Sequence, residues 1–461
     1  MIHHTTHDPL TVFATTNFRG ERRPFGIRDA DRLLHTYLVG KTGTGKSTLL
    51  ATFMRADLER GHGFALLDPH GDLAERVLDL VPHHRLADVI YLNPADVDFP
   101  MPFNVLESIE AGQRHLIASG LVSILKRFWA DFWGPRSEYL VRNAVLALVE
   151  ASGTTLLDMS RLLVDEPFRR QLLATVHDPA VLRFWRDEFE AYPPAFRQEA
   201  IAPVQNKIGE FLTTPLIRNI VGQRRNLFQI RALMDEGKVL IVNLSKGILG
   251  EDTAALLGSL VLTRLVLAAF SRADVAEHRR RPFFLYVDEF PSFATEGTFA
   301  SLLSEARKYG LGAILANQYL GQLSDNLRSA LFGNVGTLIS FQAGAEDAPH
   351  LSREFGGAVS LEDITGLNRH EVYLRMAVAG VTTAPFSAIT LPPVMRPTSY
   401  RQQIVTLTRE RYTRPRAIVE RGAERLFLES RGLEKAGSRD AGRCFPPKTD
   451  ALPWPQRRRK S

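Results

Sequence analysis

The run Gly40-Lys41-Thr42-Gly43-Thr44-Gly45-Lys46-Ser47 constrains this chain more than any other feature, because it matches G-x-x-x-x-G-K-[ST] in full. Its glycines let the backbone wrap closely enough for successive N–H groups to face an anion. Lys46 is placed to reach the β- and γ-phosphates of a nucleotide. Ser47 is placed to offer its hydroxyl to Mg²⁺, with Thr48 beside it. A helix starting at Lys46 presents its positive end to the phosphates. The context agrees: an apolar strand, Thr36 to Val39, precedes the loop, and a helical pattern follows to about Arg60. The expected cofactors are ATP and Mg²⁺.

A second half to such a site lies far along the chain. Phe283 to Val287 is an apolar run ending in Asp288-Glu289. A strand buried on both faces can release charge only at its end. Asp288 is expected in the Mg²⁺ shell, and Glu289 beside the water that attacks the γ-phosphate. The two halves are 242 positions apart, counted from Lys46 to Asp288. Gln318, after the apolar strand Gly312 to Ala316, is a candidate to sense the γ-phosphate or orient that water. Arg307, next to Lys308, reads either as a cation capping its own helix or as an arginine finger aimed at a neighbouring subunit's nucleotide. Asp68 ends another apolar strand, Phe64 to Leu67. It is a candidate for orienting water or coupling to DNA, while Asp72 reads equally well as the start of a helix.

Strands alternating with helices predict an α/β fold: a RecA-like P-loop NTPase with a mainly parallel sheet. Further strands are expected at Val89 to Leu92, Val239 to Leu244 and Thr337 to Phe341. Helices are expected at Leu73 to Leu80, Thr253 to Arg272, Phe299 to Tyr309 and Leu323 to Phe332. Between about 105 and 225 the apolar spacing is helical throughout. The aromatics Trp129, Phe132, Trp133, Phe184 and Trp185 in that block read as packing between helices, with base stacking the sharper alternative. This divides the chain into an N-terminal extension (1–30), a nucleotide-binding domain (31–104 and 226–395), an inserted all-α domain (105–225) and a basic C-terminal helix and disordered tail (396–461).

Charge supports that last division. The net charge of +6 is concentrated at the end: residues 396–461 carry 17 Lys/Arg against 7 Asp/Glu, a net of +10, which leaves −4 for the rest. Such an end can touch nucleic acid or anionic lipid, or simply be solvated. The single cysteine, Cys444, excludes a disulfide framework and fits a reducing setting. No signal peptide or transmembrane segment is expected; the longest apolar run, Ala254 to Phe270, is broken by Arg264 and reads as a buried helix.

The P-loop, the Asp288-Glu289 strand, the segment Ser304 to Gly310 and the strand leading to Asn317-Gln318 together resemble the HerA/FtsK superfamily of DNA-pumping ATPases. Within it the chain looks most like the coupling proteins of conjugation and type IV secretion, the TraD/TraG type, which carry an all-α domain between the two motifs. The stretch from Asn334 through Asp347 to Gly356 resembles their C-terminal core, and the likeness covers roughly Thr15 to Pro393. Coupling proteins of this type begin with membrane-spanning helices and HerA with a β-barrel; here the P-loop starts at position 40. The resemblance is therefore to an anchor-free member, cytoplasmic or peripheral at the inner face of the membrane. It implies a hexameric ring with ATP at the subunit boundaries, Arg307 supplied in trans, and a DNA translocase driving transfer. The partners implied are DNA, a relaxase and components of a type IV secretion channel. The alternative is a secretion motor acting on protein substrates or on channel assembly.

Overall fold

A computed structural model describes residues 10–430, apart from 18–19, 108–109, 131–132 and 394; for 210–212 and 426–430 it describes the backbone alone. Phe132, Cys444 and the basic run Arg457 to Lys460 lie outside the described residues. The strands are β1 (Leu10–Thr16), β2 (Pro24–Arg28), β3 (Thr36–Val39), β4 (Gly63–Asp68), β5 (Val89–Leu92), β6 (Val239–Asn243), β7 (Phe283–Val287), β8 (Leu311–Asn317), β9 (Thr337–Ser340), β10 (Glu371–Arg375), a small hairpin of β11 (Ala377–Val378) and β12 (Val381–Thr382), and β13 (Phe386–Thr390).

Eleven of them form one sheet in the order β2-β1-β13-β10-β9-β3-β8-β7-β4-β6-β5. The run from β9 to β5 is parallel, and the other edge, β10-β13-β1-β2, is antiparallel. The expected RecA-like, mainly parallel α/β fold is what forms. The central strands β3, β4, β6, β7 and β8 are buried along their whole length, as their unbroken apolar runs require of strands covered on both faces. Residues 10–28 are not a separate extension: β1 and β2 belong to the main sheet, with Ala14 opposite Thr390 and Leu10 opposite Arg28. The partner strand lies more than 370 positions away, so no local pattern announces the pairing.

Two apolar layers cover the sheet. One face packs on the helices Lys46–Arg60 and Asp72–Leu80. The other packs on the helix Glu251–Phe270, and its core continues without a break into the helices of 114–221. Glu251–Phe270 is apolar on every side because it is enclosed on every side: on its sheet side by strand residues such as Leu285 and Leu311, and on the other by helix Arg114–Phe128 of the insertion. It is long and apolar enough to cross a membrane, yet 83% of its most apolar window is buried inside the protein.

Phe184 and Trp185 are buried, with Trp185 edge-on to Phe189 at 4.8 Å, and Trp129 and Trp133 lie 5.9 Å apart. These rings fill helix contacts. The insertion is held at its root by Asn104, whose Nδ2 donates to the carbonyls of Thr154 and Arg224 at 2.8 and 3.0 Å.

The polypeptide divides into Met1–Val419 and Glu420–Ser461. Within the first unit, the helix Arg401–Tyr412 is docked by ion pairs: Arg401 to Asp79 at 2.6 Å and Arg409 to Asp96 at 2.7 Å. Part of the positive charge counted into the C-terminal region is thus spent on the acidic body. Of the second unit, the described part is the end of helix Arg416–Ser430.

Candidate functional site: a phosphate loop facing two buried acids

The parallel strands all point their C-terminal ends to one edge, and β3, β7, β4 and β8 deliver the polar residues there. A cavity of about 530 Å³ opens at this edge. It is lined by Thr42, Gly43, Gly45, Lys46, Ser47 and Thr48 from the loop, by Asp288 and Glu289 after β7, and by Gln318 after β8. The 242-position gap is closed by the sheet, since β3 and β7 both flank β8.

Two glycines are fixed by sterics. At Gly40 (φ 151°) a Cβ would meet Phe341 Cβ at 2.6 Å, and at Gly45 (φ 126°) it would meet His370 Nδ1 at 2.7 Å. The loop is also tied from outside, because His370 N–H donates to the Thr44 carbonyl at 2.8 Å and Lys41 N–H to the Gln342 carbonyl at 2.8 Å. Inside, Thr44 Oγ1 donates to the Lys41 carbonyl at 2.7 Å. Lys46 is buried, and its ammonium donates to the carbonyls of Gly40 and Lys41. Burial lowers its pKa, partly offset by the fields of Asp288 and Glu289.

Ser47 Oγ donates to Asp288 Oδ2 at 3.3 Å, which places a hydroxyl and a carboxylate together. Asp288 is 7% exposed, and burial first, then repulsion from Asp68 and Glu289 against the pull of Lys46, pushes its pKa up to about 6. A divalent cation between Ser47 and Asp288 would relieve that penalty. Two hard oxygen donors facing a phosphate cradle suit Mg²⁺, which characteristically takes few protein ligands and shares the phosphates.

Glu289 is buried and adopts a left-handed backbone (φ 51°, ψ 54°), an uncommon conformation for a side-chain-bearing residue. The sharp turn swings it out of the strand line. Its Oε1 accepts from Gln322 Nε2. Gln322 is itself held in a turn by the Tyr319 N–H at 3.4 Å, so the β8 loop that carries Gln318 also orients Glu289.

Asp68 is buried, and its carboxylate accepts from His70 N–H at 2.9 Å and Ala74 N–H at 2.8 Å. It fastens the start of helix Asp72–Leu80, lines the cavity and contributes to the raised pKa of Asp288.

Arg307 is nowhere near this cavity. It is exposed, in the 3-10 turn Ala306–Tyr309 that follows helix Glu296–Glu305, rather than in a continuous helix to 309. That turn sits where β7 begins, with Phe283 N–H donating to the Gly310 carbonyl at 2.9 Å. Arg307 acts electrostatically on His35, which precedes β3 and is held near pKa 4 mainly by burial. It is therefore at the opposite edge of the sheet from the cavity, separated by the length of the seven-residue β8, about 23 Å.

Sequence reasoning missed Arg76, Arg369, His370 and Gln322. Arg76 and Arg369 line the cavity. Neither carries a local signal: Arg76 looks like the solvated side of an amphipathic helix, and Arg369 and His370 arrive from the antiparallel part of the sheet.

Fold and site together define a P-loop NTPase of RecA-like architecture with a helical insertion. Residues 26–366 match the family described as the type IV secretion-system coupling protein DNA-binding domain, and the chain belongs to that family. It is 23% identical over 368 residues to the type 4 coupling protein DotL of Legionella pneumophila, a match covering 68% of this chain and 47% of DotL. The chain thus spans about half the length of that curated relative. Among solved structures it resembles the plasmid coupling protein TrwB in complex with ADP and Mg²⁺, at TM-score 0.59, with 17% identity, 86% of this chain and 98% of that one covered. It also resembles the unbound form of the bacterial conjugative coupling protein TrwB lacking its first 70 residues, at TM-score 0.57, with 17% identity and 85% and 92% coverage.

Proposed function

We propose that this chain binds ATP with Mg²⁺ in the Gly40–Ser47 cavity, hydrolyses it, and uses the turnover to move DNA as a hexameric ring, in conjugation or type IV secretion. The observation that carries the reading is the convergence of Lys46, Ser47, Asp288 and Glu289 on one cavity. The family's description as a DNA-binding domain supports DNA as the substrate, and the TrwB complexes with ADP and Mg²⁺ and with an ATP analogue support the cofactor.

The residues divide the work. The loop N–H groups and Lys46 bind the phosphates, and Ser47 and Asp288 hold the metal. Bound Mg²⁺ supplies positive charge to the phosphate oxygens and fixes their geometry. Glu289 accepts a proton from the attacking water, with Gln318 placed to orient it. Arg307 faces away from its own cavity, and in a ring it serves the next copy's site. A relaxase and channel components are the partners that would deliver and receive the DNA.

The test is the ATPase rate with and without single- and double-stranded DNA, with Lys46→Ala as the inactive control. DNA should raise the rate or bind with a steep salt dependence. If neither rate nor binding responds to DNA while a purified channel component stimulates turnover, the motor acts on protein instead.

Asp288 adds a pH dependence. A carboxyl with pKa about 6 must lose its proton to take the metal. Apparent Mg²⁺ affinity in the presence of ADP should therefore fall as pH drops through that value, by up to about tenfold per unit. The same upward shift makes the metal-free protein less stable as pH rises through about 6. Titrating Mg²⁺ into the parent and into Asp288→Asn separates this effect from protonation of the nucleotide. An equal pH slope in both would show that Asp288 does not ligate the metal.

A further inference from the structure

A second cavity, of about 370 Å³, lies where the insertion leaves and rejoins the nucleotide-binding domain. Gln113 reaches it from the start of the insertion, Arg231 and Asp235 from the helix just after its return, and Arg264 from the long helix Glu251–Phe270; Ile230 and Leu267 form an apolar wall.

The polar groups here are satisfied, with one exception. Arg231 donates to the Ser271 carbonyl at 2.9 Å and to both carboxylate oxygens of Asp274 at 2.5 and 2.7 Å. Gln113 Nε2 donates to the Leu267 carbonyl at 3.2 Å. Arg264 is 9% exposed, and its guanidinium has no hydrogen-bond or ion-pair partner among the described residues. Burial holds its pKa near 10, only partly offset by the field of Glu107. A buried charge without a partner is costly, and such a group calls for an explanation. It is also the residue that interrupts an otherwise apolar helix.

We propose that this cavity binds a carboxylate, with Arg264 as its anchor. A guanidinium offers a planar fork that suits a carboxylate or a phosphate. One feature selects the carboxylate: the Ile230–Leu267 wall accommodates an aliphatic stem, which inorganic phosphate lacks. The carboxylate belongs either to a small free acid or to the side chain of a glutamate on a protein segment. Because the cavity is bordered by both chain crossings, its occupant would brace the insertion against the nucleotide-binding domain.

The experiment is thermal unfolding of the full chain without nucleotide, with glutarate, with an N-acetylated, C-amidated peptide containing one Glu, with inorganic phosphate, and with chloride at matched ionic strength. Glutarate or the peptide should raise Tm by about 2–4 °C over chloride. Glutarate acting alone identifies a free acid; the peptide acting where glutarate does not identifies a protein segment. Arg264→Met should remove the shift and raise the Tm of the unliganded chain, since it deletes an unpaired buried charge. Ala232→Phe, which adds a ring to the cavity lining while keeping the arginine, should remove the shift as well and decides the matter if Arg264→Met does not fold. No shift with either carboxylate, a larger shift with phosphate, or a shift that survives Arg264→Met or Ala232→Phe overturns the proposal.

Discussion

Glu289→Gln is expected to lower ATP turnover by about 10²–10⁴ while leaving ATP affinity within a few-fold of the parent. The substitution keeps the shape of the side chain and can keep the contact with Gln322, since an amide oxygen accepts as a carboxylate oxygen does. What it removes is the basic oxygen and one negative charge. The loss of charge beside Lys46 and Asp288 does not weaken phosphate binding, because Glu289 repels phosphates. Lys46→Ala should behave differently: it deletes the buried ammonium of the loop, so binding and turnover fall together. Measuring Kd for ATP and kcat for both variants separates the roles. Parental turnover in Glu289→Gln would remove Glu289 from the chemistry and leave the left-handed turn at that residue without a catalytic reason.

Arg307→Ala should be the more severe lesion, lowering turnover by about 10³–10⁵ with ATP binding nearly intact. The basis is position. Arg307 is exposed, beyond the far end of β8 from the cavity, and its side chain makes no hydrogen bond or ion pair among the described residues. Within one chain it can do nothing for the phosphates. Mixing Arg307→Ala with Glu289→Gln tests the trans role directly: a boundary that takes its loop and acids from the first and its arginine from the second is complete. Mixed assemblies should recover part of the parental rate, and each variant alone should not. Lack of recovery at any mixing ratio counts against Arg307 as a residue donated between copies.

Much of this site is readable from the chain because its parts are continuous in sequence. The loop from Gly40 to Ser47 needs only a strand before it and a helix after it, and Asp288-Glu289 needs only the strand they terminate. Gln318 follows from the same rule. Local pattern stops where tertiary pairing begins. His370 buttresses Gly45, and Arg369 reaches the cavity, only because β10 lies against β9, next to the P-loop strand. Gln322 grips Glu289 through a turn that has no signature in the residues themselves. The place of β1 and β2 in the main sheet escapes local pattern for the same reason: β2 pairs with its neighbour β1, but β1 pairs with β13 from the other end of the chain. The uniform apolarity of Ala254 to Phe270, by contrast, announces enclosure on all sides, and Arg264 is the charged side chain set within it.

The separation between the cavity edge and the Arg307 edge has a consequence for stoichiometry. Two copies that share a nucleotide through Arg307 must meet with unlike surfaces, so the contact has no two-fold axis and each copy keeps one unfilled half. An open row of such copies always holds one complete site fewer than it has members; only closure makes the numbers equal. Turnover per chain should then rise with protein concentration and level off when the last gap is joined, and a symmetric dimer, however stable, would count as two inactive ends.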